Sequence, residues 1–398
     1  MQTILFCYEF GAGLGHLSRL IAVAKRLIKE YRVVFALPNP ELARPVLGRA
    51  FASPDVRQGP YWPAPSDPRA RTAPTHTFAD AIHLFGFAEP HRLLAATQHA
   101  SELLVEIAPD LIVADFAPTL RIAALGRVPT IVIGNGYTVP PRGVALPPMR
   151  PWETTVPPRS RVHEAQLLAA TNEACHHLSQ PAVDFFADTL QGDRTFVCTL
   201  REFDPYERWR TAPHVWPFNI PAMRQARNFE HRDGYAAFCY LSKGHPSLQT
   251  VLAAVSRLGR SVGLFVQGGD PQAIARSCSR EVAVFTKPAD YGSVLPNASV
   301  LLHHAGLGTA YAGLSAGVPQ LVLPVNLEHL ITTRGLEAFG VAVRLATDIE
   351  PDALAGAIDR LLRDTQRQDA SIRAADELEQ RRDEDPIAHV VAACRSYL

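Results

Sequence analysis

Two histidines fall where alternating strands and helices would present chemistry. The first, His16, closes the loop Glu9-Phe10-Gly11-Ala12-Gly13-Leu14-Gly15-His16, between the apolar run Thr3–Tyr8 and the amphipathic stretch His16–Glu30. Its three glycines permit a tight turn and let a ligand approach the backbone. The amides that start the helix, with Gly15 among them, favour negative charge. The spacing departs from the dinucleotide fingerprint, which requires a glycine where His16 stands. It also requires an acidic residue after the second strand, where Leu37-Pro38-Asn39 is found. An imidazole titrates near neutral pH and suits general-base removal of a hydroxyl proton. Such a base needs its other ring nitrogen anchored, and Asp115, which ends the run Leu111–Ala114, is the candidate partner. The competing role for both residues is helix capping.

The second is His304, in Leu301-Leu302-His303-His304-Ala305-Gly306-Leu307-Gly308-Thr309, a segment continuing through Gly317-Val318-Pro319 to Glu328-His329. A buried strand would deliver His304 to its carboxyl end. Gly306 and Gly308 would open the backbone, and Thr309 would start a helix. Backbone amides, the helix dipole, a hydroxyl and an imidazole together suit a pyrophosphate. After the next strand, Glu328 is placed to accept from sugar hydroxyls, because an unpaired buried polar group costs about 1–3 kcal/mol.

The elements that must position these residues repeat in two halves. Thr3–Tyr8, Arg32–Leu37, Leu111–Asp115 and Thr130–Ile133 read as strands, with a short helix at Thr119–Leu125. In the second half Ala236–Leu241, Ser261–Val266, Val282–Phe285, Val300–His303, Gln320–Leu323 and Val341–Leu345 read as strands. Helices at Leu248–Leu258, Thr309–Ala316 and Glu328–Phe339 lie between them. Short apolar runs alternating with helices indicate parallel strands covered on both faces. Such sheets bind ligands at the carboxyl ends of their strands. Pro213, Pro217 and Pro221 mark a stiff connector. The expected domains are therefore 1–221 and 222–384, with a terminal helix at 385–398 returning to the first. Gly134–Arg159 carries seven prolines and almost no periodicity, so it is either an acceptor-binding wall or a rigid surface loop. Tyr137 and Trp152 within it are placed to stack on an acceptor or to pack. His176-His177 point apart on a helix and read as exposed, and Asp364–Asp385 reads as a solvated helix.

Composition narrows the function. The 398 residues exceed one ordinary core. Lys+Arg and Asp+Glu each total 39, which argues against nucleic acid as a partner. The six cysteines sit at no metal or redox spacing, as in a cytoplasmic protein with reduced thiols. The first residues lack the features of a secretion signal, and no run reaches the roughly 20 apolar residues of a membrane span. A cytoplasmic location is expected, with room for peripheral membrane contact.

Ala298–Gly340 resembles the donor-binding signature of nucleotide-sugar-dependent glycosyltransferases, the group that includes plant secondary-metabolite, macrolide and antibiotic enzymes. The resemblance implies the α/β GT-B fold, two Rossmann-like doubly wound parallel sheets facing a cleft. In it, His304 matches the phosphate-binding histidine, and Gly306, Gly308 and Thr309 the phosphate turn. Glu328 and His329 match the acidic-residue–glutamine pair that holds the sugar, with His329 in place of glutamine. Ser242 matches a serine that often touches donor phosphate. Lys287, in Thr286-Lys287-Pro288, lies where the base meets the main chain, and no stacking tryptophan is present. Gly15-His16 is similar to the family's catalytic histidine site, and Asp115 to its paired aspartate. The implied activity is inverting transfer from a uridine-diphosphate sugar to the hydroxyl of a small-molecule, lipid or glycan acceptor. The nucleotide sugar is a co-substrate, and no other cofactor and no metal is implied. The string Gly13-Leu14-Gly15-His16-Leu17-Ser18-Arg19 is also similar to one in nucleotide-sugar hydrolases, and epimerases share the architecture. A hydrolase, an epimerase and a noncatalytic nucleotide-sugar-binding protein are the rival readings.

Overall fold

The run Thr3–Cys7 forms strand β1, and all five of its residues are buried. It lies inside a seven-stranded sheet with β2 (Arg32–Leu37), β3 (Asp55–Gln58), β4 (Leu111–Ala114), β5 (Thr130–Gly134), β6 (Arg194–Cys198) and β7 (His214–Val215). The order is β3-β2-β1-β4-β5-β6-β7, and every pairing is parallel. The period of two divides β1 between two cores. Ile4 and Phe6 face Leu20 and Val23 of the Gly15–Leu27 helix, whereas Leu5 and Cys7 face Leu104 of the Pro90–Ile107 helix and Leu120 of the Pro118–Ala124 helix. The computed structural model describes residues 1–11, 15–63, 74–218, 220, 234–383 and 385–398.

The chain folds into two compact units, Met1–Phe218 with Asp383–Leu398, and Asn219–Arg382. The boundary expected near Pro221 falls outside the described residues. The helix Pro386–Tyr397 belongs to the first unit, where Val390, Val391 and Cys394 enter the core beside Leu20 and Val23. Arg26 pairs with Asp385 and Arg395 with Glu30 at the surface. Exposed pairs contribute about 0–1 kcal/mol, so the apolar stripe is what docks this helix.

The second unit holds β8 (Ala237–Ser242), β9 (Val262–Gln267), β10 (Val282–Val284), β11 (Leu301–His303), β12 (Gln320–Val322) and β13 (Ala342–Arg344). The order is β10-β9-β8-β11-β12-β13, again parallel throughout. A helix not expected from sequence, Pro351–Leu362, packs Leu354, Ile358 and Leu361 beside Val251 and Val255 of the Leu248–Arg257 helix. Strand order reverses between β1 and β4 in one unit and between β8 and β11 in the other. At such a reversal the flanking helices diverge and leave a crevice at the strand ends.

The proline-rich stretch is packed in part, with 142–145 and Trp152 exposed. Val139, Leu146 and Met149 are buried. Leu146 N–H donates to Glu164 Oε1 at 2.7 Å, and Met149 N–H to the His76 carbonyl at 2.7 Å. Between the 3-10 turn Gly136–Thr138 and the helix starting at Pro158, these backbone groups find side chains and other loops instead of a ladder.

Candidate active site

In the first unit the strand ends at the β1–β4 reversal bring His16 and Asp115 together. Asp115 follows β4 and is fully buried. Its Oδ1 lies 2.9 Å from His16 Nδ1, and its Oδ2 accepts from Arg19 Nε at 2.7 Å. Burial pushes the Asp115 carboxyl up, but the charges and hydrogen bonds of Arg19 and His16 outweigh it and hold the group at about 2. An ionised carboxylate at 2.9 Å requires a proton on Nδ1, because two acceptors at that distance repel. Arg19 Nη2 also lies 3.2 Å from Nδ1, but both are then donors, and the carboxylate decides the tautomer. Nε2 is left with a lone pair. It has no hydrogen-bond partner among the described residues and faces Gly11, where a Cβ would sit 2.8 Å away. Gly11 also has φ +97°, so any other residue there meets both strain and the imidazole. Gly15 opens the helix, as its place in the sequence implies, while Gly13 and Leu14 lie outside the described residues. Arg19 ends the string that carries one of the resemblances, but the sequence assigns it no role beside Asp115. Its signal is its place three residues after His16, on one helix face.

Glu9 is the other buried carboxyl at this reversal, 2% exposed. Its Oε2 accepts from Thr119 N–H at 3.1 Å and its Oε1 from Leu120 N–H at 2.7 Å. Burial raises its pKa, and despite hydrogen bonds from Thr119, Leu120 and Trp62 that lower it, the group is pushed up from 4.5 to about 7. The folded protein therefore keeps a proton that the unfolded chain releases. The stability linked to this group is whole below about pH 4.5 and is lost as pH rises toward 7. Glu9→Gln, a neutral isostere, is expected to remove a fall on the order of 3 kcal/mol between about pH 5 and 8. Urea midpoints of the two proteins across that range check this, and equal slopes would show that Glu9 does not titrate there.

In the second unit the reversal brings together the ends of β8 and β11. Ser242 ends β8 half-buried, and His304 follows β11. The turn after His304 differs in detail from the expectation. The left-handed residue is Ala305, φ +66°, whereas Gly306 has φ −63° and serves as the helix N-cap. The helix starts at Leu307, which places Gly308 and Thr309 inside its first turn. Glycine at 306 answers a different need: a Cβ there would lie 3.2 Å from His304 Nε2, so the imidazole folds over the turn. His304 Nδ1 is buried with no hydrogen-bond partner among the described residues. Burial, then His245, push the His304 pKa down to about 4. Thr309 Oγ1 lies 2.9 Å from the Tyr291 hydroxyl. With Tyr291 donating, the threonine proton is free for an anion.

Two supporting histidines escape sequence reasoning. His303 Nδ1 accepts from Ala305 N–H at 3.1 Å, and Nε2 donates to Gln320 Oε1 at 2.8 Å. His245 Nδ1 accepts from Ser247 N–H at 3.1 Å, and Nε2 donates to the Leu323 carbonyl at 2.9 Å. Each is locked as a neutral tautomer, tying the loops after β8 and β11 to neighbouring elements. The sequence places His303 at the end of its strand but gives neither residue a partner.

His329 comes within 4.9 Å of the His304 ring, centroid to centroid. Asn326 Oδ1 accepts from His329 N–H at 2.9 Å and caps the Leu327–Ala338 helix. His329 Nδ1 faces Val325 N–H at 3.5 Å. Burial, then His304 and His245, lower the His329 pKa to about 3. Glu328 is half-buried in the same first turn, and Lys287 is exposed on the segment after β10. His176 and His177 are both exposed, Trp152 is 44% exposed, and Tyr137 packs edge-on to Phe78. Among the described residues no group of three His, Cys, Asp or Glu side chains has metal-holding geometry. Among them, too, no helix is long and apolar enough to cross a membrane.

Residues 254–393 match the family described as the C-terminal domain of the erythromycin biosynthesis protein CIII-like group. A PGL/p-HBAD biosynthesis glycosyltransferase of Mycobacterium tuberculosis is 26% identical over 306 residues, 69% of this chain and 68% of that protein. The elloramycin glycosyltransferase of Streptomyces olivaceus is 40% identical over 86 residues, 22% of this chain and 21% of that protein. Among solved structures, the spinosyn rhamnosyltransferase SpnG complexed with thymidine diphosphate superposes with a TM-score of 0.65 at 18% identity, covering 99% of this chain and 100% of that one.

Proposed function

From the premise that the chain is a GT-B glycosyltransferase of the macrolide and antibiotic group, we propose that it transfers sugar with inversion, and that His16 is the general base. The observation that carries this is the His16–Asp115–Arg19 arrangement, in which the anchored Nδ1–H leaves Nε2 as the acceptor of a proton. The acceptor hydroxyl gives its proton to Nε2 as its oxygen bonds to the anomeric carbon. The bond from that carbon to the diphosphate oxygen breaks on the opposite face, and the nucleoside diphosphate leaves with the electron pair. Asp115 stabilises the imidazolium.

The second unit holds the donor in this reading. His304, Thr309, the amides that follow Gly306, and Ser242 meet the diphosphate, Lys287 lies near the base, and Glu328 with His329 grips the sugar. The first-turn amides and side-chain donors neutralise the leaving group without a metal or further cofactor. The sequence signature favours uridine, whereas SpnG is solved with thymidine diphosphate, so both bases belong in the test. A small-molecule, lipid or glycan acceptor and a cytoplasmic site complete the proposal, the latter supported by six free cysteines.

Donor alone and donor with an acceptor panel separate the outcomes. Sugar on an acceptor hydroxyl, with its anomeric configuration inverted, supports the proposal. Retained configuration overturns inversion, and free sugar alone would mean hydrolysis. Nucleotide binding is tested independently of turnover. Uridine or thymidine diphosphate at about 100 times its Kd should stabilise the folded chain by about 2.7 kcal/mol. His304→Ala is expected to weaken that response, read as a thermal shift. An undiminished shift in this variant would place the phosphates elsewhere.

A further inference from the structure

The β1–β4 reversal that aims Asp115 at His16 contains a strained residue. Phe116, immediately after Asp115, has φ +59°, the left-handed region that a bulky aromatic residue rarely adopts. Something must hold it there. Two backbone bonds tie it to β1 and the loop that follows: Asp115 N–H donates to the Cys7 carbonyl at 2.9 Å, and Glu9 N–H to the Phe116 carbonyl at 3.1 Å. On the far side of the turn the Pro118–Ala124 helix begins with Ala117 at its N-cap, a residue whose side chain cannot cap. The buried Glu9 carboxyl fills that role from the loop after β1, accepting from Thr119 and Leu120 N–H. Trp62 Nε1 donates to Thr119 Oγ1 at 3.0 Å and closes the network. Glu9 thus grips the strained turn on both sides, by its backbone at Phe116 and by its side chain at the helix start.

We propose that Glu9 is a positioning residue for the transfer reaction: by capping the Pro118–Ala124 helix from the loop after β1 it keeps Phe116 left-handed, and that turn directs the Asp115 carboxylate to His16. The Phe116 ring is held as a consequence, stacked 4.7 Å from Phe10 and tilted 6.1 Å from His16. Released from the cap, Phe116 relaxes toward negative φ, and the carboxylate rotates away from Nδ1. The inference rests on His16 acting as the base, and it adds the element that sets the geometry of that base.

Four proteins test it: Glu9→Ala, Glu9→Gln, Phe116→Gly and the Glu9→Ala/Phe116→Gly double variant. Glycine adopts the positive φ of residue 116 without strain, so it removes the need for the clamp. Glu9→Ala is expected to lower kcat about tenfold with KM for the nucleotide sugar unchanged. Glu9→Gln keeps one acceptor oxygen and should retain most of the activity. In the Phe116→Gly background the additional loss from Glu9→Ala should shrink to about twofold. The His16 Nδ1–H proton resonance gives a readout that does not depend on turnover. It should shift or broaden in Glu9→Ala and return in the double variant. Additive losses with an unmoved Nδ1–H resonance would overturn the positioning role. If the resonance responds as expected while activity does not follow it, the clamp stands and His16 is not the base. Should Glu9→Ala not fold, Glu9→Leu, which fills the same space but offers no acceptor to the helix start, carries the same comparison with and without Phe116→Gly. An equal loss in both backgrounds then overturns the proposal.

Discussion

His16→Ala is expected to lower kcat by about 10²–10⁴-fold while donor affinity stays nearly intact. The loss follows from removing the proton acceptor at Nε2, and the ring's hydrogen bond is to Asp115. Asp115→Asn should also slow turnover sharply. An amide can turn its NH₂ to Nδ1, which moves the ring proton to Nε2 and leaves no base, and it strands the Arg19 charge beside the imidazole. Because the Asp115 carboxyl is held at about 2 by Arg19 and His16 against its burial, it is ionised at every pH where the protein would be assayed. Steady-state kinetics on folded variants, with thermal shift by nucleotide as the binding control, measure both. Wild-type kcat in folded His16→Ala would end the general-base assignment.

The parts of this site that are legible in sequence are those set by local pattern. Short buried runs bounded by turn residues mark the strands of the second unit, because strands covered on both faces need apolar side chains throughout. The same pattern delivers His16 and His304 to strand ends. What sequence leaves out is set by tertiary partners. The edge strand β3 reads Asp55-Val56-Arg57-Gln58, and only Val56 is buried, so it carries no apolar signal. The other edge strand, β7, has two residues. The clamp by Glu9, the tautomer locks at His245 and His303, and the hydroxyl pair of Tyr291 with Thr309 each join residues distant in the chain. Their spacing has no periodicity to detect. The left-handed Ala305 shows a second, local limit. A neighbouring glycine suggests an open backbone, but the strained position is fixed by its surroundings, with Ala305 N–H donating to His303 Nδ1.

Replacing His329 should change which donor is preferred. His329 Nδ1 faces Val325 N–H, so the ring carries its proton on Nε2 and presents one donor. Burial, then the neighbouring His304 and His245, keep it neutral with a pKa of about 3. A glutamine at this position would present both a carbonyl acceptor and an NH₂ donor, on a chain free of the imidazole's contact with the His304 ring at 4.9 Å. If Glu328 and His329 grip the sugar, His329→Gln changes which hydroxyl finds a partner. Leaving one buried hydroxyl unpaired costs about 1–3 kcal/mol, or roughly 5- to 150-fold in kcat/KM between two sugars on the same nucleotide. The direction is toward sugars that can donate to the new carbonyl. Affinity for the nucleoside diphosphate alone should barely move, because it places no sugar against residue 329. Relative kcat/KM over a donor panel, with diphosphate affinity as the control, measures the effect. Glu328→Ala should reorder the same panel by removing the acceptor on the other side. An unchanged sugar ranking in both variants would show that this pair does not line the sugar site. The donor's sugar would then have to be met by other residues at the carboxyl ends of β11 and β12.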